Sequence, residues 1–554
     1  MKVPTKYHAA LASCRVEDEL LEVPVPVTLI ERILDALFPR PLDEVLHQPD
    51  YVLADTEDLI KFKEGDLKTF LLRLDPDQEK LVDWALKGPS LIKGGPGTGK
   101  STVALYRVRA LLEYARRQGR ADVRVLFTTY TNALTRVSRQ LLEQLLGRDD
   151  DRVEVQTADK LARRIVQQGG RPPRIAIDSQ LRAILDEVRA GFSPPGSNAF
   201  DVKVRKAALD KLRGEFLLDE FHWVIEGRGL KTLDEYLAAD RSGRGVPLRE
   251  KGREGVWALY QAYQDRLTCE RLMTWGQVRA KALDVVRRGT YAERYDAVLI
   301  DEAQDLTPTA LALLVELCRS PEGVYLTADA SQSLYARGFR WEHVHEQLQF
   351  KGRTAILRRN YRTTREIASA ASAFLAAADG AGDPECLVQE CVFDGDQPIL
   401  RAYRDDEQAL KMAANFIRQM GRHLRLKPQS AAVLVPSSNA GERVAKELSR
   451  LGLPAQFMMG KDLDLDADAV KVLTLHSAKG LEFPIVVLHG LEEGVLPCLA
   501  DDMDEGDRAE EARGARRLVF VGMTRAMRGL LVMYPLERPS PFVSDLTSGD
   551  WNLG

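Results

Sequence analysis

Two stretches of this chain hold residues whose types and spacing suit chemistry on phosphates. "GGPGTGKS" (Gly94 to Ser101) fits the pattern G-x-x-x-x-G-K-[ST]. Gly94, Gly95, Gly97 and Gly99 let backbone N–H groups turn inward around phosphate oxygens, with Thr98 and Thr102 in the same cradle, and a helix starting there adds the positive end of its dipole. Lys100 suits the β- and γ-phosphates of ATP, and Ser101 offers a hydroxyl to Mg²⁺. Further on, "YDAVLIDEAQDL" (Tyr295 to Leu306) ends an apolar run in Asp301, Glu302, Gln304 and Asp305. Carboxylates crowded at the end of a buried strand repel one another and lose hydration, so a cation is expected beside them. Next to a phosphate loop, Asp301 is suited to hold Mg²⁺ through its water shell and Glu302 to polarise an attacking water. Alone, each stretch has an ordinary reading, as a Gly-rich turn or an acidic first helical turn. Together they point to hydrolysis of a nucleoside triphosphate, and they leave Gln304 and Asp305 without a role.

Such residues work only if the chain delivers them to one place. "PSLIKGGPGTGKSTVALYRVRALLEYA" reads as strand, Gly-rich turn and helix, and "VRVLFTTYTNALTRVSRQLLEQLL" and "YDAVLIDEAQDLTPTALALLVELC" repeat that rhythm before the strand "VYLTAD". The alternation predicts a parallel sheet with ligand loops at the strand C-terminal ends. Residues 166–289 are helix-rich and basic without strand rhythm, and read as an insertion. A second alternating block runs from about 355, through "AAVLVPSS", "RVAKELSRLG", "VKVLTLHS" and "FPIVVLHG" to "RLVFVGMTRA". In the first 68 residues, Thr28 and Glu31 form a capping box ahead of a short apolar-striped helix, with no chemical constellation.

The bulk numbers bound the function class. A net charge of −4 over 554 residues gives no global basic signal, so any nucleic-acid binding must use local patches. The six cysteines form no C-x-x-C pair, which argues against a disulfide framework or a zinc site. No apolar run is long enough to span a bilayer and the first residues lack a secretory core, so a cytoplasmic protein without a membrane partner is expected.

The order of motifs resembles that of the UvrD/Rep-like superfamily 1 DNA helicases, over about residues 75 to 530. "LDPDQ" resembles the Q motif, "FTTYTNAL" motif Ia, "VQTADKLARRI" motif Ib, "DEAQD" motif II and "DASQSLYARGFRW" motif III. "RRNYRTTREI" resembles motif IV, "VKVLTLHSAKGLEFPIVVLHGLEEGVLP" motif V and "RRLVFVGMTRA" motif VI. A loose phosphoryl-transfer transition state needs positive charge at the γ-phosphate. By resemblance, Arg362 and Arg525 bring it from the second block, and Gln332 links that phosphate to the strand-binding aromatics. Gln304 and Gln332 carry amides that both donate and accept, able to report the γ-phosphate to a neighbouring loop. The same resemblance gives Gln78 to the adenine edge, Tyr361 to its face and Glu482 to the ribose. It gives Tyr130 and Tyr335 to stacking on bases, and Asn132, Thr157 and His476 to the strand's backbone.

The chain departs from the family in three places. Arg337 takes a ring position of motif III, leaving Phe339 and Trp341 as candidate substitutes, and Thr102 stands where relatives often have an arginine beside the base. Only "QFMMGKDLDLDADA" lies where relatives insert the accessory 2B domain, long enough for a loop and too short for a domain.

The expected fold is therefore α/β: two RecA-like P-loop parallel-sheet lobes with a helical insertion in the first and a small N-terminal unit. The first lobe takes 69–165 and 290–354, the insertion 166–289, the second lobe 355–554 and the N-terminal unit 1–68. The expected activity is ATP- and Mg²⁺-dependent movement along single-stranded DNA, 3′ to 5′ by resemblance. Alternatives are an ATPase subunit of a larger assembly, for example with a nuclease in antiviral defence, or an RNA-directed motor. The N-terminal unit could take a protein partner or nucleic acid, with the chain acting as a monomer or within a complex.

Overall fold

Runs such as "AVLI" and "AAVLV" carry no polar side chain, so they are stable as strands only when both faces are covered. The computed structural model describes residues 68–553 apart from 69–70, 73, 87, 96, 148–149, 240–247, 330–343, 347, 351, 378–389, 460–461, 500–504 and 547–548. The first sheet contains β1 (Ser90–Gly94), β2 (Val125–Thr128), β3 (Val153–Gln156), β4 (Ala297–Ile300), β5 (Val324–Asp329) and β6 (Thr354–Leu357). A ribbon of β7 (Arg359–Asn360) and β8 (Glu390–Cys391) follows. The second sheet contains β9 (Ile399–Tyr403), β10 (Ala431–Val435), β11 (Ala455–Phe457), β12 (Val470–Thr474), β13 (Phe483–His489) and β14 (Ala526–Pro535). The orders are β3-β2-β4-β5-β1-β6 and β11-β12-β10-β13-β14-β9, with every pairing parallel.

Several expected boundaries move. β6 pairs with β1, Leu91 opposite Thr354, so the first lobe runs to Leu357 and the boundary expected at 354 falls on its last strand. "RLVFVGM" is not a strand. It is the end of the helix Glu505–Met523, whose Ala515, Val519 and Met523 turn one stripe to the core, and the strand begins only at Ala526. A short β-branched run has no period of its own, and here the charged helix before it decides. The N-terminal unit expected over 1–68 lies, up to residue 67, outside the described residues.

The insertion is all helical among the described residues, with a core of Leu185, Leu217, Phe221, Val256 and Tyr263. Its last helix, Trp275–Arg287, instead packs against the first-lobe helices Ala158–Gln168 and Pro308–Glu316, in the core that contains Val298 and Leu313. At this junction Glu226 is buried, accepting hydrogen bonds from the Thr274 hydroxyl (2.6 Å) and the Tyr260 hydroxyl (3.3 Å). Loss of water pushes its carboxyl up to about 7. In the basic run 240–253, Arg253 does not face solvent freely. It donates to the Leu237 (2.8 Å) and Ala239 (3.0 Å) carbonyls at the end of a helix.

The connection from β11 to β12 packs across the cleft as a strap. Leu463 and Leu465 are buried in a core shared with Leu134 and Leu141 of the first lobe. Gln140 donates to Asp464 (2.5 Å) and accepts the Leu465 N–H (3.1 Å), and Lys68 pairs with Asp466 at 2.7 Å. No helix among the described residues is long and apolar enough to cross a membrane.

Candidate active site and nucleic-acid groove

Parallel strands bring the C-terminal ends of β1, β4 and β5 to one edge of the first sheet. Gly97 and Gly99 take φ of +73° and +79°, and a Cβ on Gly99 would meet the Gln78 amide at 2.3 Å. The helix Lys100–Arg117 starts on that turn. Lys100 is buried and its ammonium donates to the Gly94 and Gly95 carbonyls, both at 2.9 Å. Thr98 also donates to Gly95 (2.9 Å). Gln78 braces the loop: its amide accepts the Asp75 N–H and donates to the Thr98 carbonyl, each at 2.9 Å. A cradle of inward-turned backbone with a buried ammonium at its base fits a triphosphate.

Asp301 sits at the end of β4, fully buried, with one carboxylate oxygen accepting from the Thr327 hydroxyl of β5 (2.5 Å). The other oxygen has no hydrogen-bond partner among the described residues. Burial pushes this carboxyl up, against the pull of the Thr327 and Ser101 hydroxyls and the Lys100 charge. A buried carboxylate oxygen without a protein hydrogen-bond partner among the described residues, next to the Ser101 hydroxyl and the phosphate loop, fits Mg²⁺. Glu302 follows with φ +52°, a left-handed backbone unusual for a side chain with a Cβ. Its N–H donates to Thr327 (3.2 Å), and its carboxylate accepts from Gln304. Gln304 thus aims Glu302. Asp305, buried, pairs with Lys479 of the second lobe at 2.7 Å. The sequence reads Gln304, with Gln332, as an amide able to report the γ-phosphate; in the structure it holds Glu302, and Asp305, unexplained in the sequence, pairs across the lobes.

The second lobe closes the same cavity. Arg362, Lys479, Glu482 and Arg525 line it together with Lys100, Asp301 and Glu302. Arg362 reaches into the first lobe: its Nη2 donates to the Leu71 carbonyl and the Thr102 hydroxyl, and its Nε lies 3.6 Å from Glu482. Its Nη1 is buried without a partner among the described residues. Arg525 is turned onto its own lobe, donating to the Val521 (3.0 Å) and Leu481 (3.2 Å) carbonyls. Tyr361 takes the Gly97 carbonyl on its N–H (3.1 Å), and its hydroxyl donates to Asp77 (3.2 Å). The lobes approach closely at Gly480 (φ +79°), where a Cβ would meet Leu134 at 2.7 Å.

Of the nucleic-acid candidates, Tyr130 is 39% exposed, with the Lys479 ammonium 5.8 Å from its ring centre. Asn132 opens the helix Asn132–Leu146 and His476 follows β12, both exposed. Thr157 is buried and caps the helix Ala158–Gln168 by accepting the Lys160 N–H (3.3 Å), so its hydroxyl already has a structural use. Gln332, Tyr335, Phe339 and Trp341 lie outside the described residues. Sequence reasoning missed a second wall. Tyr130 and Thr157 share a groove with Arg163, His222, Trp223 and Trp275, between the first lobe and the insertion. Burial lowers His222 to about 4, so it is neutral there. The one available signal was Trp275 near the C-terminal end of the insertion; Trp223 lies in its middle and gave none.

The family model described as the UvrD/REP helicase N-terminal domain matches residues 74–354, and the UvrD-like helicase C-terminal domain matches 457–537. The chain belongs to the UvrD/Rep helicase family. It is 23% identical to DNA helicase II of Escherichia coli K12, over 86% of this chain and 88% of that one. That alignment runs over 661 positions, more than the 554 residues of this chain, so the relative carries segments without a counterpart here. It is 23% identical to DNA helicase IV of the same organism (83% and 68% covered), and 24% identical to UvrD2 of Mycobacterium bovis (83% and 79%). Among family members, the described residues thus combine a phosphate cradle, an acidic pair and two arginines from the opposite lobe.

Proposed function

We propose that this UvrD/Rep-family chain hydrolyses ATP to move along single-stranded DNA, 3′ to 5′. The observation that carries this is Arg362, which crosses from the second lobe and lies buried in the cavity of Lys100 with a guanidinium nitrogen unpartnered. A buried guanidinium N–H without an acceptor calls for one, and a phosphate oxygen would supply it beside the Glu482 carboxylate that faces Nε. Lys100 exchanges the Gly94 and Gly95 carbonyls for phosphate oxygens, and Arg362 meets the γ-phosphate. Mg²⁺ held by Asp301 and Ser101 would neutralise charge on the phosphates. Glu302, held by Gln304, orients the attacking water. Arg525 leaves its carbonyls and swings in as the transition state forms, so turnover requires a rearrangement of the second lobe.

The strand lies along Tyr130 and the groove with Trp223 and Trp275, where flat rings accept bases of any identity and Arg163 faces the phosphates. Lys479 pairs with Asp305 and lies 5.8 Å from the Tyr130 ring centre, so with a strand stacked on Tyr130 it would link the nucleotide pocket to that strand. ATPase rates compared across single-stranded DNA, single-stranded RNA and duplex test this reading. Single-stranded DNA is expected to stimulate most, with faster streptavidin displacement from a 5′ end than from a 3′ end. Stimulation by RNA alone would favour the RNA-directed motor, a stoichiometric partner on purification the subunit of an assembly, and no stimulation by any strand would overturn the motor.

A further inference from the structure

Arg362 is held by an unusual partner. Thr102, the third residue of the helix Lys100–Arg117, is buried, and its hydroxyl donates to the Leu71 carbonyl (3.3 Å) while accepting from Arg362 Nη2. Nη2 also donates to that Leu71 carbonyl, so the three groups close a ring across the lobe boundary. A hydroxyl can give and receive in this way, and a β-branched side chain holds its oxygen in few rotamers. The guanidinium is a rigid plane. With Nη2 fixed by Thr102 and Leu71, and Nε facing Glu482 at 3.6 Å, the direction of Nη1 is set, and Nη1 is the nitrogen left buried without a partner among the described residues.

We propose that Thr102 is a positioning residue, which orients the arginine supplied by the opposite lobe rather than contacting the nucleotide base. This rests on the reading of Arg362 as the group that meets the γ-phosphate. On that reading, Thr102 holds the finger in place before ATP arrives, so that less reorganisation is needed in the transition state. Removing the hydroxyl therefore acts on turnover more than on nucleotide binding.

The test uses the full chain, with steady-state ATPase measured on saturating oligo-dT and Mg-ATP varied. Thr102→Val keeps the shape and β-branching but lacks the hydroxyl; Thr102→Ser keeps the hydroxyl. We expect Thr102→Val to lower kcat by about tenfold or more with KM for ATP changed less than about threefold, and Thr102→Ser to stay within about threefold of wild type. Binding of a fluorescent ATP analogue checks that the Thr102→Val pocket is folded. Arg362→Ala separates the two claims. If it loses turnover while Thr102→Val keeps the wild-type kcat, the tether is wrong and the finger stands. If Arg362→Ala keeps normal turnover, the finger reading fails and the tether with it. Equal losses in Thr102→Val and Thr102→Ser would also overturn the proposal, because the hydroxyl would not be the determinant.

Discussion

The two walls of the ATP cavity are built on different principles. The first lobe offers groups held by the sheet beneath them: positive-φ glycines, a helix N-terminus, the buried Lys100 and a strand-end carboxylate. The second offers long cationic side chains whose positions depend on which partners they hold. Arg362 has crossed to the first lobe and Arg525 has not. On the proposed reading, ground-state binding would belong mainly to the near wall, and the step that needs the lobes to rearrange to the far one.

The sharpest way to break this contrast is to remove the near wall's chemistry. Lys100→Ala or Glu302→Gln should lower ATP turnover by about a hundredfold or more in a strand-stimulated assay. Near-normal turnover in Glu302→Gln would remove its assignment. On the far wall, Arg525→Ala should lower kcat by about 10³ while analogue affinity changes less than about threefold. If affinity fell as steeply, Arg525 would serve the ground state and the two walls would not divide the work in this way.

The bridge between the walls has a smaller expected effect. Asp305 is buried and Lys479 about a third exposed, so a cycle of Asp305→Asn, Lys479→Met and the double variant should give a coupling of about 1–3 kcal/mol, read in strand-stimulated kcat. Additive losses would show that the pair does not act as a unit. Away from both walls, Glu226 at the insertion junction has a carboxyl raised from its ordinary value to about 7. Below about pH 4.5 folded and unfolded chains both hold this proton; between there and pH 7 the unfolded chain alone gives it up, so stability falls as pH rises through that window. Melting temperatures of Glu226→Gln should therefore fall less between pH 5 and pH 8 than those of the wild type, by about 2 °C or more. An unchanged slope would mean that the group is ionised in the fold. Lys68→Ala, which breaks a pair with an Asp466 that is 58% exposed, should move stability by less than about 1 kcal/mol by denaturant titration.

Much of the near wall was legible because its chemistry is local. The G-x-x-x-x-G-K-[ST] run and the apolar strand ending in Asp301 each specify a loop and a strand within a dozen residues, and the sheet brings them together as parallel alternation requires. The role of Asp305 was not legible, because Lys479 lies far away in sequence and on the other lobe. Thr102 read as a nucleotide contact because it adjoins the phosphate-loop motif; its hydrogen bond from Arg362 comes from far along the chain and leaves no local signal. The helical end "RLVFVGM" looked like the other apolar runs because buried strands and buried helix stripes draw on the same residues. Trp223 and Trp275 were overlooked because aromatic residues at helix junctions are ordinary core material until two domains leave a groove between them.

The strap between β11 and β12 joins two strands that already lie side by side. A connection whose ends are held together by a sheet can lengthen greatly for little extra chain entropy, since closure grows only with the logarithm of length. A longer connection could therefore be carried at this point at little entropic cost to the pairing of the strands it leaves and re-enters.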